Sequence, residues 1–277
     1  MTGHERQWTL NRRNFAGCWR GTSRWYLRGT PANLGDGTDL DLSAPGVEIP
    51  DTTYTIRFHD DDTGLWVGEG LLLAPGGRRE LPLSRAAYNR GGSCWQFAGA
   101  GGQSSLVVDP EQARFGHEVN LFEGRSRSML VLLYGPRSED EGVRWSLDAV
   151  AAVPFRCREQ SGREDPPRPS ASAWEPLLAE QEGWPGQLER LEPHRWPEQD
   201  PEPKTYEPFS AAGFACHPLT VGFADGLVCS VPEVLPAGAF TLQVGCRLAP
   251  HRFHQVSLVF DGEQRLRAWE LRRFRRP

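Results

Sequence analysis

The stretch Gly17-Cys18-Trp19-Arg20-Gly21-Thr22-Ser23-Arg24-Trp25-Tyr26 decides the fold that this sequence predicts. Its side chains alternate between two faces, one carrying both tryptophans and the other carrying the arginines. A period of two is typical of a β-strand, and because neither face is wholly apolar it suits the wall of a barrel with a partly polar interior. The preceding residues 4–16 can form a short helix that Gly17 ends. The sequence therefore predicts a first strand that is entered from a helix.

A weaker copy of this arrangement occurs in the second half of the chain. There a helix predicted over residues 172–181 leads into Gly183-Trp184, as the first helix leads into Gly17-Cys18-Trp19. Between the two copies, short alternating segments are separated by tight turns such as residues 60–64 and 123–125. About nine such strands in succession favour an up-and-down antiparallel barrel, which leaves no sheet edge exposed, with a β-sandwich as the alternative.

Residues 154–208 differ in composition from both flanking regions. They hold almost half of the 23 prolines, and acidic residues outnumber basic ones. Such a segment is typical of a linker. We therefore predict an N-terminal barrel over residues 1–158, an acidic proline-rich linker over 159–171 and a smaller C-terminal barrel over 172–277.

Composition limits the classes of function. The 277 residues carry a net charge of -5, and nearly all of the positive charge is arginine, which suits bidentate carboxylate recognition better than lysine does. No apolar run approaches the roughly 18 residues of a membrane span, and the first residues do not resemble a signal peptide. We expect a cytoplasmic protein, or a stromal one if the chain is from a plastid, in which the six scattered cysteines are free.

Several motifs in a fixed order resemble a known family. They are Asn14-Phe15, Gly17-Cys18-Trp19-Arg20-Gly21, residues 117–122 followed by residues 125–129, and residues 240–252. Together they are similar to a largely uncharacterised two-domain lipocalin-like (calycin) family of cyanobacteria and plastids. Residues 244–254 also resemble the closing strands of the single-domain S-type phycobiliprotein chromophore lyases.

The resemblance implies an all-β protein with two tandem lipocalin-like antiparallel up-and-down barrels, each entered from a short helix. Gly17 and Trp19 would plug the floor of the first barrel, and Gly183 and Trp184 that of the second. The ligand would be apolar or amphipathic. In the lyases it is a linear tetrapyrrole, a bilin, delivered to a cysteine of an acidic antenna protein of the phycobilisome. The second domain, the acidic linker and Pro185 in the second copy of the first strand depart from the lyase pattern.

Charged residues on the strands are the first candidates for ligand binding. Arg20, Arg24 and Arg127 can bind ligand carboxylates if they point inward, or they lie on a solvated outer face. Glu118 is the candidate catalytic acid or base toward a pyrrole nitrogen, with Asn120 beside it on the same face of the strand. The alternative is that Glu118 forms an ion pair with an arginine of a neighbouring strand, such as Arg127.

Aromatic residues form the second set of candidates, because flat rings line pockets for conjugated ligands and also fill the cores of small barrels. This set comprises Trp66, Trp95, Tyr134 and Trp145. The arginine-rich C-terminus can dock an acidic antenna protein or lie on a solvated face. No nucleic-acid-binding module, phosphate loop, nucleophile elbow or metal-ligand spacing is present, so we predict neither a metal site nor a required cofactor.

Three hypotheses of function follow. The first is a bilin-binding protein, either a chromophore lyase or a chaperone. The second is a non-enzymatic carrier or sensor of a carotenoid, retinoid or fatty acid. The third is an interaction scaffold whose barrels are filled by side chains.

Overall fold

A computed structural model shows that the chain is folded into two antiparallel sheets. The structure describes residues 2–36, 39–139, 142–159 and 173–277. Strands make up 54% of the chain and helices 11%, which confirms the prediction of a mostly β, antiparallel protein. Apart from Glu159, the predicted linker lies outside the described residues. No helix in the described ranges is both long and apolar enough to cross a membrane.

In the described ranges, the first half contains one helix and nine strands. Helix α1 begins after a capping box, in which the Thr2 side chain accepts from the Glu5 amide and the Glu5 side chain accepts from the Thr2 amide. The elements are α1 Gly3–Phe15, β1 Gly17–Leu27, β2 Val47–Phe58, β3 Thr63–Glu69, β4 Arg78–Ser84, β5 Cys94–Phe97, β6 Ala100–Ser104, β7 Phe115–Glu123, β8 Ser126–Glu139 and β9 Gly142–Cys157, with a 3₁₀ turn at Pro75–Gly77.

From residue 173 onward, the structure describes seven strands and two very short helices. The elements of this second half are α2 Trp174–Ala179, β10 Gly186–Leu191, β11 Lys204–Tyr206, α3 Ala211–Phe214, β12 Leu219–Gly222, β13 Leu227–Val231, β14 Phe240–Ala249, β15 Arg252–Phe260 and β16 Leu266–Arg275, with a 3₁₀ turn at Ala224–Gly226. Helix α2 precedes β10 as α1 precedes β1.

Both sheets are meanders in which the first strand pairs with the second strand and with the last. In the first sheet β1 pairs with β2 and with the last strand β9, and the order is β4-β3-β2-β1-β9-β8-β7-β6-β5. In the second sheet β10 pairs in the same way with β11 and the last strand β16, and the order is β11-β10-β16-β15-β14-β13-β12. Within the described ranges no ladder joins β4 to β5 or β11 to β12, so each sheet is a curled meander that is open along one seam.

The two sheets pack against each other through one shared apolar core. Its aromatic contacts cross between the halves: Phe115 lies 5.3 Å from Phe260 between ring centroids, and Trp95 stacks on Trp269 at 6.0 Å. Two smaller cores lie on the other faces, one under α1 in the first sheet and one under α2 and α3 in the second. The strand alternation therefore divides each sheet between a face toward its partner and a face toward its own interior.

Candidate functional site

A cavity of about 450 Å³ lies inside the curl of the first sheet. Its volume falls within the range of about 300–1,000 Å³ that is typical of small-molecule sites. Every one of the nine strands contributes to the lining, as shown by Ser23, Tyr54, Trp66, Leu81, Gln96, Gln103, Glu118, Met129 and Val153 taken in strand order. The sheet is therefore wrapped around this space, although the seam between β4 and β5 carries no ladder.

Most of the wall is apolar, and it continues to the surface near β4. Leu73 and Leu81 line the cavity and are 47% and 38% exposed. They belong to β4 and to the β3–β4 connection, which also supplies Leu71, Leu72 and Ala74. Exposed apolar side chains continuous with an internal cavity mark its entrance, since they can contact a ligand as it enters.

Arg127 is the buried cation of the cavity wall. Its side chain is 1% exposed, and its guanidinium carbon lies 4.8 Å from the ring centre of Phe15, 5.2 Å from that of Tyr54 and 5.0 Å from that of Phe155. The faces of aromatic rings attract a cation and offset part of the cost of its desolvation. Burial nevertheless lowers the pKa of Arg127 and raises that of Tyr54.

Glu118 and Asn120 complete the polar group around Arg127. Arg127 Nε donates to Asn120 Oδ1 at 2.6 Å, and Asn120 Nδ2 donates to Glu118 Oε1 at 2.8 Å. Arg127 Nη2 reaches the same Glu118 oxygen at 3.4 Å. Arg127 Nη1 is buried and has no acceptor among the residues that the structure describes. The ion pair considered in the sequence analysis is thus present, and the buried Nη1 of the same guanidinium has no acceptor within the described ranges.

Helix α1 closes one side of the cavity through a second polar group. Asn14 Nδ2 donates to Gln96 Oε1 and to the Phe97 carbonyl, both at 2.9 Å, and Gln7 Oε1 accepts from the Gln96 amide at 2.7 Å. Gln96 Nε2 in turn donates to the Tyr88 hydroxyl at 3.1 Å. These bonds tie the short edge strand β5 to α1, and they explain the position of the Asn14-Phe15 motif.

Trp19 lies close to Arg127, whose guanidinium carbon is 5.9 Å from the centre of the Trp19 ring. Trp19 is fully buried and its Nε1 donates to the Phe15 carbonyl at 2.7 Å. Gly17 has a φ of +130°, and a Cβ there would lie 2.8 Å from Cys157 Sγ, so only glycine fits the sharp entry into β1. In the second half, Gly183 has a φ of +77° and Trp184 is buried among the phenylalanines under α2 and α3.

Two of the predicted carboxylate-binding arginines lie away from the cavity. Arg20 forms an ion pair with Asp51, and Arg24 donates from Nε to Glu48 at 2.8 Å. Neither arginine lines the cavity. Arg24 and Trp19 have opposite parity along β1, and the bulge between Gly21 and Ser23 does not turn the Arg24 side chain into the cavity. Their interpretation as a solvated face agrees with this placement.

Three of the predicted aromatic residues face the partner sheet instead of the cavity. Trp95, Tyr134 and Trp145 belong to the shared core, where Tyr134 donates its hydroxyl hydrogen to the Pro232 carbonyl at 2.8 Å. Trp66 does line the cavity and lies 5.2 Å from Tyr54. The predicted ligand-binding residues Trp66 and Arg127 therefore meet the predicted catalytic residue Glu118 at the cavity, and Asn120 is bonded to Arg127 and Glu118.

Several lining residues were not predicted. Tyr88 and Cys94 belong to the β4–β5 connection and to the edge strand β5, and burial raises the pKa of both. Arg79 is a second arginine of the lining and is exposed. The alternation of β4 could have indicated Arg79, because Leu81 and Leu83 share its face.

The arginine-rich C-terminus is partly used inside the molecule. Arg273 donates from Nε to Glu189 at 2.5 Å and from Nη2 to the Ala98 carbonyl at 2.6 Å. Arg272 donates to Glu270 at 2.6 Å. Arg265 and Arg267 are exposed and form longer ion pairs with Glu263 and Asp261. Within the described ranges, no cluster of three or more His, Cys, Asp or Glu residues could hold a metal ion.

Comparison with solved structures identifies a match in fold. A protein of unknown function of the DUF3598 family from Nostoc punctiforme PCC 73102 has a TM-score of 0.67 and 15% identity, over 98% of this chain and 99% of that one. For a putative outer membrane protein from Bacteroides fragilis NCTC 9343, the alignment covers 95% of this chain and 98% of that one at 10% identity, but the TM-score of 0.18 is too low to indicate a common fold. No protein-family model matches this chain. No curated protein matches it either. The fold of this chain is therefore shared, along its whole length, with a cyanobacterial protein of unknown function.

Proposed function

We propose that this protein binds an amphipathic small molecule with a carboxylate group in the cavity of the first sheet, and that this ligand is a linear tetrapyrrole. The observation that carries the proposal is the buried Arg127, whose Nη1 has no acceptor in the described part of the chain. A buried N–H group without a partner costs free energy, and a ligand carboxylate would recover it through a charge-assisted hydrogen bond.

The chemistry of a bilin matches the rest of the lining. Its conjugated ring system suits the flat side chains of Tyr54 and Trp66, and its apolar edges suit the aliphatic residues near the entrance. A bilin carries two propionate groups, and two arginines line the cavity, Arg127 at the buried wall and Arg79 at the exposed side. A fatty acid or a retinoid carrier is the second candidate, because the single buried guanidinium would suffice for one carboxylate. A carotenoid without a carboxylate is disfavoured by the same group.

We further propose that both sheets are lipocalin-like barrels in tandem. In each sheet the first strand pairs with both its successor and the last strand, as in an up-and-down barrel, and the first sheet encloses a cavity. The match in fold to a cyanobacterial protein fits this organisation. Action as a chromophore lyase or chaperone would add two roles, proton transfer by Glu118 and docking of an acidic antenna protein on the exposed C-terminal arginines.

Titration with a bilin tests the binding proposal. We expect phycocyanobilin or biliverdin to bind at one site per chain, with a shifted visible absorption band. The double variant Arg127→Gln/Glu118→Gln keeps the wall neutral and should weaken binding by about 10- to 100-fold, the effect of losing one hydrogen bond to a charged group. Arg24→Gln is the matched control, since Arg24 lies outside the cavity. Unshifted spectra with every bilin, or equal affinity in the double variant, would overturn the proposal.

A further inference from the structure

We infer that Glu118 is an internal competitor for Arg127, so that a ligand carboxylate binds by displacing Glu118, and that Glu118 thereby determines which ligands the cavity accepts. This inference rests on the proposed carboxylate-binding function of the cavity.

The contacts of Glu118 are those of a replaceable partner. Asn120, and not Glu118, accepts the short bond from Arg127, at 2.6 Å compared with 3.4 Å. Both hydrogen bonds that Glu118 accepts end on one oxygen, Oε1. Its side chain is 26% exposed, whereas that of Arg127 is 1% exposed. The guanidinium is therefore fixed by its aromatic surroundings and by Asn120, and Glu118 is held weakly at the edge of the pair.

The charge balance requires Glu118 to respond when a carboxylate arrives. With Glu118 in place, the pair carries no net charge. A second carboxylate on the same guanidinium would leave one net negative charge, and the two carboxylates would repel each other at short range. Glu118 must therefore move away from Arg127.

The structure provides space for that movement. A recess of about 480 Å³ adjoins the cavity, and Gln103, Glu118 and Val131 line both. Glu118 thus lies in the wall between the two spaces. Rotation toward the recess, which is also lined by Ser93 and Ser105, would place its carboxylate near polar groups and solvent.

The test compares biliverdin with its uncharged dimethyl ester on the full chain. In Glu118→Gln, the amide oxygen can still accept from Asn120, but the competing charge is gone. We expect this variant to bind biliverdin at least about tenfold more tightly than the wild type, because the repulsion is partly screened at a site open to solvent, and to bind the ester with unchanged affinity. Glu118→Ala should shift biliverdin affinity in the same direction, which keeps the test independent of the new amide.

Glu123→Gln is the matched control, since Glu123 lies on the same strand and pairs with Arg252 but does not line the cavity. It should bind both probes as the wild type does. Equal biliverdin affinity in the wild type and in both Glu118 variants would overturn the inference while leaving the binding function intact. An equal gain for the ester would also overturn it, because the effect would then be steric. Failure of both probes to bind any variant would instead overturn the proposed function.

Discussion

The two sheets of this protein are both meanders in which the first strand pairs with the last, but they differ in what lies on their inner faces. The first sheet encloses a cavity of about 450 Å³ beneath α1. The inner face of the second is covered by packed aromatic rings, where Phe253 lies 5.0 Å from Phe209 and 6.0 Å from Phe214 between ring centroids. Gly245 makes room for this packing, because a Cβ there would lie 2.4 Å from the Phe253 ring. Strand topology alone therefore does not decide whether such a sheet is hollow or filled.

The polar residues of the two inner faces differ in the same way. In the second sheet they bond to one another: Gln255 Nε2 donates to Gln243 Oε1 at 2.5 Å, and Arg272 donates to Ser257 at 2.7 Å and to Glu270 at 2.6 Å. Both terminal nitrogens of Arg272 thus have protein acceptors, whereas Arg272 Nε has none within the ranges described. In the first sheet, Arg127 Nη1 has none there either, and Arg127 lines a cavity. The proposed ligand site therefore rests on the cavity together with the unsatisfied Arg127 Nη1, and not on an unsatisfied buried group alone.

The largest effect is expected from truncating one aromatic side chain to alanine on each inner face. Phe253 is fully buried, so Phe253→Ala should lower the free energy of unfolding by about 4 kcal/mol through lost burial and a new cavity. Trp66 is only half-buried and already borders open space, so Trp66→Ala should cost about half as much despite the larger side chain. Chemical denaturation measures both. Equal losses would mean that the two interiors are equally packed.

The next test compares the two inner-face arginines. Arg127→Gln leaves Glu118 without its cation next to a buried wall and should cost about 3 kcal/mol of stability. Adding Glu118→Gln should restore about 1–2 kcal/mol, because the unpaired charge is removed. Arg272→Gln should cost only about 1 kcal/mol, since Glu270 keeps its bond from Arg190 at 3.0 Å. If the double variant is no more stable than Arg127→Gln, the ion pair is not what stabilises the wall.

Much of the fold could be predicted from the sequence, because it depends on local periodicity. The alternation in 17–26 predicts β1, and the order of short strands and turns predicts the antiparallel meander. The resemblance between residues 17–19 and 183–184 also corresponds to similar helix-to-strand entries in the two halves. Such features are properties of neighbouring residues and are visible without tertiary contacts.

The site was only partly predictable, because alternation gives two faces of a strand but does not say which one encloses the cavity. Trp95 and Tyr134 have the composition of a pocket wall but face the partner sheet, whose packing no local pattern shows. Conversely, Arg79 and Cys94 line the cavity from edge strands with weak patterns. The sequence analysis considered Arg127 and Glu118 as an ion pair, but the register places Glu118 opposite Val131 and Arg127 opposite Phe122, so the long arginine side chain is what joins them.

A third test concerns the face that the two sheets share. Burial among Phe115 and Phe260 lowers the pKa of His117 to about 3, from 6.5 in an exposed histidine. Since only the unfolded chain binds this proton between those pH values, stability falls as the pH falls below 6.5. The difference amounts to about 2 kcal/mol between pH 7 and pH 5. Urea denaturation across this range measures it.

His117→Met is the control for that test, because methionine has no proton to bind and fills an irregular apolar space. Other carboxylates and histidines titrate in both proteins, so the difference between their pH profiles isolates His117. The variant should lose the acid-side decline of about 2 kcal/mol. Parallel profiles would show that His117 is accessible to protons in the folded state and that the contact between the sheets opens.

The smallest effect that we predict lies in one hydrogen-bonded contact between the sheets. Ser104 Oγ accepts from Trp95 Nε1 of its own sheet at 3.2 Å and from Trp269 Nε1 of the partner sheet at 3.0 Å. Ser104→Ala should cost about 1–2 kcal/mol, because two buried indole N–H groups lose their acceptor. In a double-mutant cycle with Trp269→Phe, the coupling energy in the free energy of unfolding should be about 1 kcal/mol. Bilin affinity should not change, since neither Ser104 nor Trp269 lines the cavity. Additive effects would show that the hydroxyl does not join the sheets, and a coupled loss of ligand affinity would show that the filled half helps to shape the hollow one.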